Sequence, residues 1–82
     1  MNFDLRAWRS WCGWSQSELA VLADITPMTV SELERGRAVP SATTVQRLAQ
    51  AFGVPRSVLL HSSPEREWAN GWRPPEQDAL LA

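Results

Sequence analysis

The sequence predicts an all-α fold, five short helices followed by a C-terminal tail. Three observations carry that expectation. Apolar residues recur at helical spacing, hydroxyl-bearing capping residues head most of the periodic stretches, and glycines close three of them. No stretch alternates apolar and polar residues as a half-buried strand does. At 82 residues the chain is one domain, since independent cores need on the order of 100 residues each. It divides into a helical domain over residues 1–60 and a tail over residues 61–82, with a short helix possible at about 64–70.

The first helix reads from Asn2 to Trp11, with Phe3, Leu5, Trp8 and Cys12 near helical spacing and Gly13 as the stop. Ser15-Gln16-Ser17-Glu18 is a capping box, in which the Ser15 hydroxyl and the Glu18 carboxylate each accept from the other's amide. The second helix then runs to about Ala23. Asp24 sits where the chain turns sharply, and Asp tolerates left-handed backbone better than most residues. Thr26 followed by Pro27 opens a third helix, with Val30 and Leu33 facing inward and Gly36 at its end. Ser41 caps a fourth helix whose buried stripe is Val45, Leu48, Ala49 and Phe52, closed by Gly53. Pro55 opens a short fifth helix holding Val58, Leu59 and Leu60. In the tail, Ser63-Pro64-Glu65 suits one or two helical turns before Asn70-Gly71, and Pro74-Pro75 breaks any further helix.

Composition narrows the function classes. All eight basic residues are arginines, against nine acids, for a net charge of -1. Residues 1–60 hold six arginines and five acids, residues 61–82 two arginines and four acids, so the acidity concentrates in the tail. The single cysteine, Cys12, allows no internal disulfide and fits a reducing, cytoplasmic compartment. No apolar run approaches the ~20 residues of a membrane span, and no signal peptide is evident. One histidine, His61, without ligand-type neighbours suggests no metal site. No nucleophile–base pairing and no glycine-rich phosphate loop is present, so neither an enzyme nor a cofactor is expected.

Two short helices joined by a tight turn, residues 15 to 36, meet the description of a helix-turn-helix. The ordered set Gly13-Trp14-Ser15-Gln16-Ser17-Glu18-Leu19-Ala20, Ile25-Thr26-Pro27, Thr29-Val30-Ser31, Leu33-Glu34-Arg35-Gly36-Arg37 and Pro40-Ser41 resembles the xenobiotic-response-element family. That family includes lambda-type phage repressors and restriction-modification controller proteins. The resemblance covers about Leu5 to Leu60 and implies a five-helix, lambda-repressor-like DNA-binding domain of bacterial or phage origin, with its third helix in the major groove of double-stranded DNA.

Residues near the N-terminus of such a helix reach base edges, here Thr26, Pro27, Met28 and Thr29, with Glu32 one turn on. The Arg, Gln or Asn residues that many relatives use for bidentate base contacts are absent from these positions. Gln16 matches the family's phosphate-contact position at the start of the second helix. Arg35 and Arg37 follow the recognition helix, and Ser41, Thr43 and Thr44 stand at the favourable N-terminus of the fourth, as further phosphate contacts. Arg9 and Glu34 match a family ion pair that joins the first and third helices.

Two-fold pairing would set two recognition helices about 34 Å apart on a palindromic operator. The expected dimer surface is Val58, Leu59 and Leu60 with the end of the fourth helix, extended by Trp68 and Trp72. Five tryptophans exceed the needs of this core. Trp8 and Trp14 fall on core positions, whereas Trp11, Trp68 and Trp72 either pack under a folded-back tail or form an interface. The alternative function is a protein-interaction module, antitoxin-like or adaptor, with a protein partner held through the tail.

Overall fold

Local side-chain chemistry sets where nearly every helix begins. In a computed structural model, which describes residues 3–76, the chain forms α1 (Leu5–Cys12), α2 (Gln16–Ala23), α3 (Pro27–Glu34), α4 (Ala42–Phe52), α5 (Arg56–His61) and α6 (Pro64–Ala69). The Asp4 carboxylate accepts from the Ala7 amide at 3.0 Å and starts α1; Asn2, the expected start, lies outside the described residues. At α2 both halves of the capping box form at 3.0 Å, Glu18 N–H to Ser15 Oγ and Ser15 N–H to Glu18 Oε1. Thr26, Ser41 and Ser63 cap α3, α4 and α6 in the same way. Each such cap satisfies one of the amides that a helix start leaves unpaired, an effect of about 1 kcal/mol. Among the described helices only α5 starts without one, after Pro55.

Asp24 provides the turn between α2 and α3. Its backbone is left-handed, φ 56° and ψ 47°, the one such non-glycine conformation among the described residues. That conformation lets the Ile25 amide reach back to the Ala20 carbonyl at 2.9 Å and closes α2.

The core forms where α1 to α5 converge. Trp8, Leu19, Val30, Leu48, Phe52 and Leu59 are fully buried. Phe52 stacks against Trp14, with centroids 5.5 Å apart and planes at 18°, and lies 5.7 Å from Trp8. Three layers of aromatic area thus anchor α1, the α1–α2 turn and α4 on one another, and rings of this size dominate the energetics of small cores.

Among the described residues there are six helices, the sixth lying where a short helix at about 64–70 was expected as possible, and the segment after residue 60 folds back. α6 packs on α1. Beyond it, the half-buried Trp72 meets Trp8 edge-on at 5.2 Å, and its indole N–H donates to the Phe52 carbonyl at 2.9 Å. That carbonyl is one of the acceptors that the end of α4 cannot satisfy internally. Trp11 and Trp68 pair edge-on at 5.9 Å, each 41% exposed, and the Arg73 guanidinium covers the Trp68 ring at 3.8 Å.

Candidate nucleic-acid interface

The α2–turn–α3 unit presents the start of α3 to solvent. Val30 is fully buried and Leu33 half-buried, which fixes the inner face of α3. Thr26 and Pro27 are exposed, Met28 is 73% exposed, and Thr29 and Glu32 are half-buried. The Thr26 and Thr29 hydroxyls hydrogen-bond each other at 2.9 Å, so the two share one polar contact and each still carries a methyl group. These are the five residues expected at base edges; they lie within one short stretch, Thr26 to Glu32, of which the first three are exposed.

The residues expected at phosphates flank it. Arg35 caps α3, Gly36 takes φ 72°, and Arg37 follows, its amide turned back to the Glu32 carbonyl at 2.9 Å. Both arginine side chains are exposed. At the start of α4 the Ser41 hydroxyl donates to Thr44 Oγ1 at 3.0 Å while accepting the Thr44 amide, so these two hydroxyls are engaged in the cap. Thr43 is exposed beside them.

Arg9 and Glu34 form the ion pair that the resemblance implies. Arg9 Nε donates to Glu34 Oε2 at 2.6 Å and Nη2 to Oε1 at 3.1 Å, a two-pronged contact. Only 15% and 5% of the two side chains are exposed. The third guanidinium nitrogen, Nη1, donates to the Trp14 carbonyl at 2.8 Å. Burial pushes the Glu34 carboxyl up, but hydrogen bonds from Arg9 and Gln16, with the charges of Arg9 and Arg6, outweigh it and hold the group below its ordinary range. The Arg9 value is raised, chiefly by its hydrogen bond to Glu34 and against the opposing effect of burial.

Two contacts in this region had no signal in the sequence. Gln16 turns its amide Nε2 to Glu34 Oε1 at 3.1 Å, making it the third member of the ion-pair cluster. Arg47, from α4, donates to the Asp24 carbonyl at 3.1 Å and braces the turn. Nothing local relates positions 16 and 34, or 24 and 47.

The expected dimer surface needs correction at two residues. Leu59 is fully buried, because three consecutive apolar residues spread over most of a helix circumference and only the central one faces the core squarely. Trp72 is spent on Trp8 and Phe52 within the same chain. Val58 and Leu60 remain half-buried, and Leu60 lines a groove with Pro40, Val45, Pro55 and His61. Trp68 stays partly exposed under Arg73. Cys12 is half-buried as a core-facing residue, and burial pushes its thiol up to about 12. Among the described residues no group of His, Cys, Asp and Glu could hold a metal ion, and no helix is long and apolar enough to cross a membrane.

Comparison with known proteins places this geometry. A family profile described as Helix-turn-helix matches residues 5–59. An uncharacterized HTH-type transcriptional regulator of Mycobacterium bovis is 33% identical over 69 residues, covering 79% of this chain and 27% of the relative. Uncharacterized HTH-type transcriptional regulators from two strains of Mycobacterium tuberculosis match with the same identity and coverage. The chain thus spans little more than a quarter of the length of these relatives. No solved structure matches it.

Proposed function

Because the chain belongs to the helix-turn-helix family whose profile spans residues 5–59, we propose that it is a sequence-specific DNA-binding transcriptional regulator that lays α3 in the major groove. The observation that carries this reading is the exposed start of α3, with the capped N-terminus of α2 before it in the chain and two exposed arginines and the capped N-terminus of α4 after it. A helix fits the major groove, and helix N-termini with arginines hold phosphates on either side.

Within that arrangement Met28 and the Thr29 methyl contact thymine methyl groups, and Glu32 accepts from a cytosine amino group. Thr26 and Pro27 sit against the groove edge. Gln16, Arg35, Arg37, Ser41, Thr43 and Thr44 contact phosphates, the last three mainly through the α4 amides. One short helix with few base contacts selects poorly alone, so the working form is a homodimer on a palindromic operator, acting as a repressor by occupying a promoter. Its interface is the groove beside Val58 and Leu60. The exposed Trp11–Trp68 pair and the net charge of -1 favour a second reading, a protein-interaction module on the same fold.

Random-site selection tests the first reading. Recovery of a two-fold-symmetric site, bound more tightly than random duplex and weakened by salt, supports it. Failure to enrich any sequence at low salt refutes it and leaves the interaction module.

A further inference from the structure

The ion-pair cluster at the junction of α1, α2 and α3 does more than hold helices together. Glu34 Oε1 accepts from both Arg9 Nη2 and Gln16 Nε2, each at 3.1 Å. A carboxylate only accepts, so it selects the nitrogen end of the Gln16 amide and rejects the oxygen end. The amide carries a second N–H in the same plane, and among the described residues that N–H has no partner. Without the carboxylate, the side chain could turn through half a circle and offer its oxygen, an acceptor that a phosphate repels. Glu34 can stand this close to a phosphate contact because its own charge is matched by the two-pronged Arg9 contact, with Arg6 nearby.

We infer that Glu34 is a positioning residue for DNA binding: it orients the Gln16 amide so that its free N–H faces a backbone phosphate, coupling the core ion pair to the DNA contact. The inference rests on the proposed DNA-binding function and deepens it. The proposal concerns orientation as distinct from stability, which gives it a signature of its own.

The test uses the full chain and a duplex recovered by random-site selection. Removing Glu34 alone leaves the part-buried Arg9 without its counter-charge, so the informative variant replaces both partners, Arg9→Met with Glu34→Leu. Exchanging a buried pair for apolar residues of similar size is often neutral for stability. Gln16→Ala should weaken binding about tenfold, the scale of one hydrogen bond to a charged group. Arg9→Met/Glu34→Leu should weaken it by the same factor while keeping the wild-type melting temperature, and adding Gln16→Ala should cost nothing further. A scan of uncharged methylphosphonates along the duplex gives the specific readout. Wild-type protein should be sensitive at one phosphate where Gln16→Ala and the paired variant are both insensitive. Glu34→Asp, which keeps the charge but withdraws it by one methylene, should lose the same phosphate and serves if the paired variant does not fold. Arg9→Lys, leaving the carboxylate beside Gln16, should lower the melting temperature while the folded protein stays sensitive at that same phosphate. Wild-type affinity in both Glu34 variants, or an undiminished Gln16→Ala effect in the paired background, overturns the inference. If no duplex is bound by wild-type protein at low salt, it is the DNA-binding reading that has failed.

Discussion

Replacing Trp72 measures how far the segment after residue 60 belongs to the core. Its ring meets Trp8 edge-on at 5.2 Å, an arrangement that contributes about 0.5–1.5 kcal/mol beyond area burial. Its N–H to the Phe52 carbonyl, at 2.9 Å, adds about 1 kcal/mol. A fully buried Trp→Ala exchange costs about 3–5 kcal/mol, and Trp72 is only half-buried, so Trp72→Ala should cost about 2–3 kcal/mol. At 0.05–0.15 kcal/mol per residue, a chain of 82 residues has about 4–12 kcal/mol in total, so this one side chain carries a large share. Trp72→Phe keeps most of the ring contact and loses the hydrogen bond, for about 1 kcal/mol. Urea unfolding followed by far-ultraviolet circular dichroism is the assay, since five tryptophans make fluorescence a composite. The corresponding drop in melting temperature for Trp72→Ala is about 8–24 °C. A loss below about 0.5 kcal/mol, or equal losses for Phe and Ala, would refute the claim that Trp72 closes the core.

Four further outcomes follow from the same geometry. Arg9→Ala should destabilise the chain by about 3–5 kcal/mol in urea unfolding, because it strands the Glu34 carboxylate, whose side chain is 5% exposed. The folded Glu34 carboxyl titrates below its unfolded value of about 4.3, so its contribution is complete above that value and lost as pH falls through the folded one. The wild-type urea midpoint should therefore drop more steeply on acidification below about pH 4.3 than that of Arg9→Met/Glu34→Leu. With its thiol pushed up to about 12, Cys12 should react with iodoacetamide at pH 8 on the order of a thousandfold more slowly in native than in urea-unfolded protein. Neutralising Arg35 and Arg37 to Gln should make log K against log salt shallower by about 0.9 per phosphate released, about 1.8 for each bound subunit; an unchanged slope would remove both from the phosphate contacts.

What the sequence revealed follows the range of the interactions. A cap joins residues three apart, so the starts of α2, α3 and α4 were legible from single words of sequence, and Asp24 was marked as the turn by its backbone tolerance alone. The pairing of Arg9 with Glu34, across 25 positions, was legible only through family resemblance. Gln16 with Glu34, Arg47 with Asp24, and Trp72 with Phe52 span 18, 23 and 20 positions and leave no periodic trace. Leu59 was misread for a different reason: a run of three apolar residues on a six-residue helix does not say which one faces inward.

The placement of these long-range contacts separates the scaffold from its specificity. Arg9, Gln16 and Glu34 tie α1, α2 and the end of α3, and Arg47 holds the turn at its other end, so the angle of α3 is set from both sides without help from Met28. Met28 is 73% exposed and, among the described residues, does not pack against the core. Met28→Gln should then change stability by no more than about 0.5 kcal/mol, the ordinary range for a surface position. It should nevertheless alter the selected DNA, because an amide pairs with adenine N6 and N7 where a thioether meets only a thymine methyl. Random-site selection with both proteins reads this directly, as adenine replacing thymine at one position of each half-site. An unaltered site would take Met28 off the base edges. A stability loss above about 1 kcal/mol would mean that the α3 angle depends on its outer face after all.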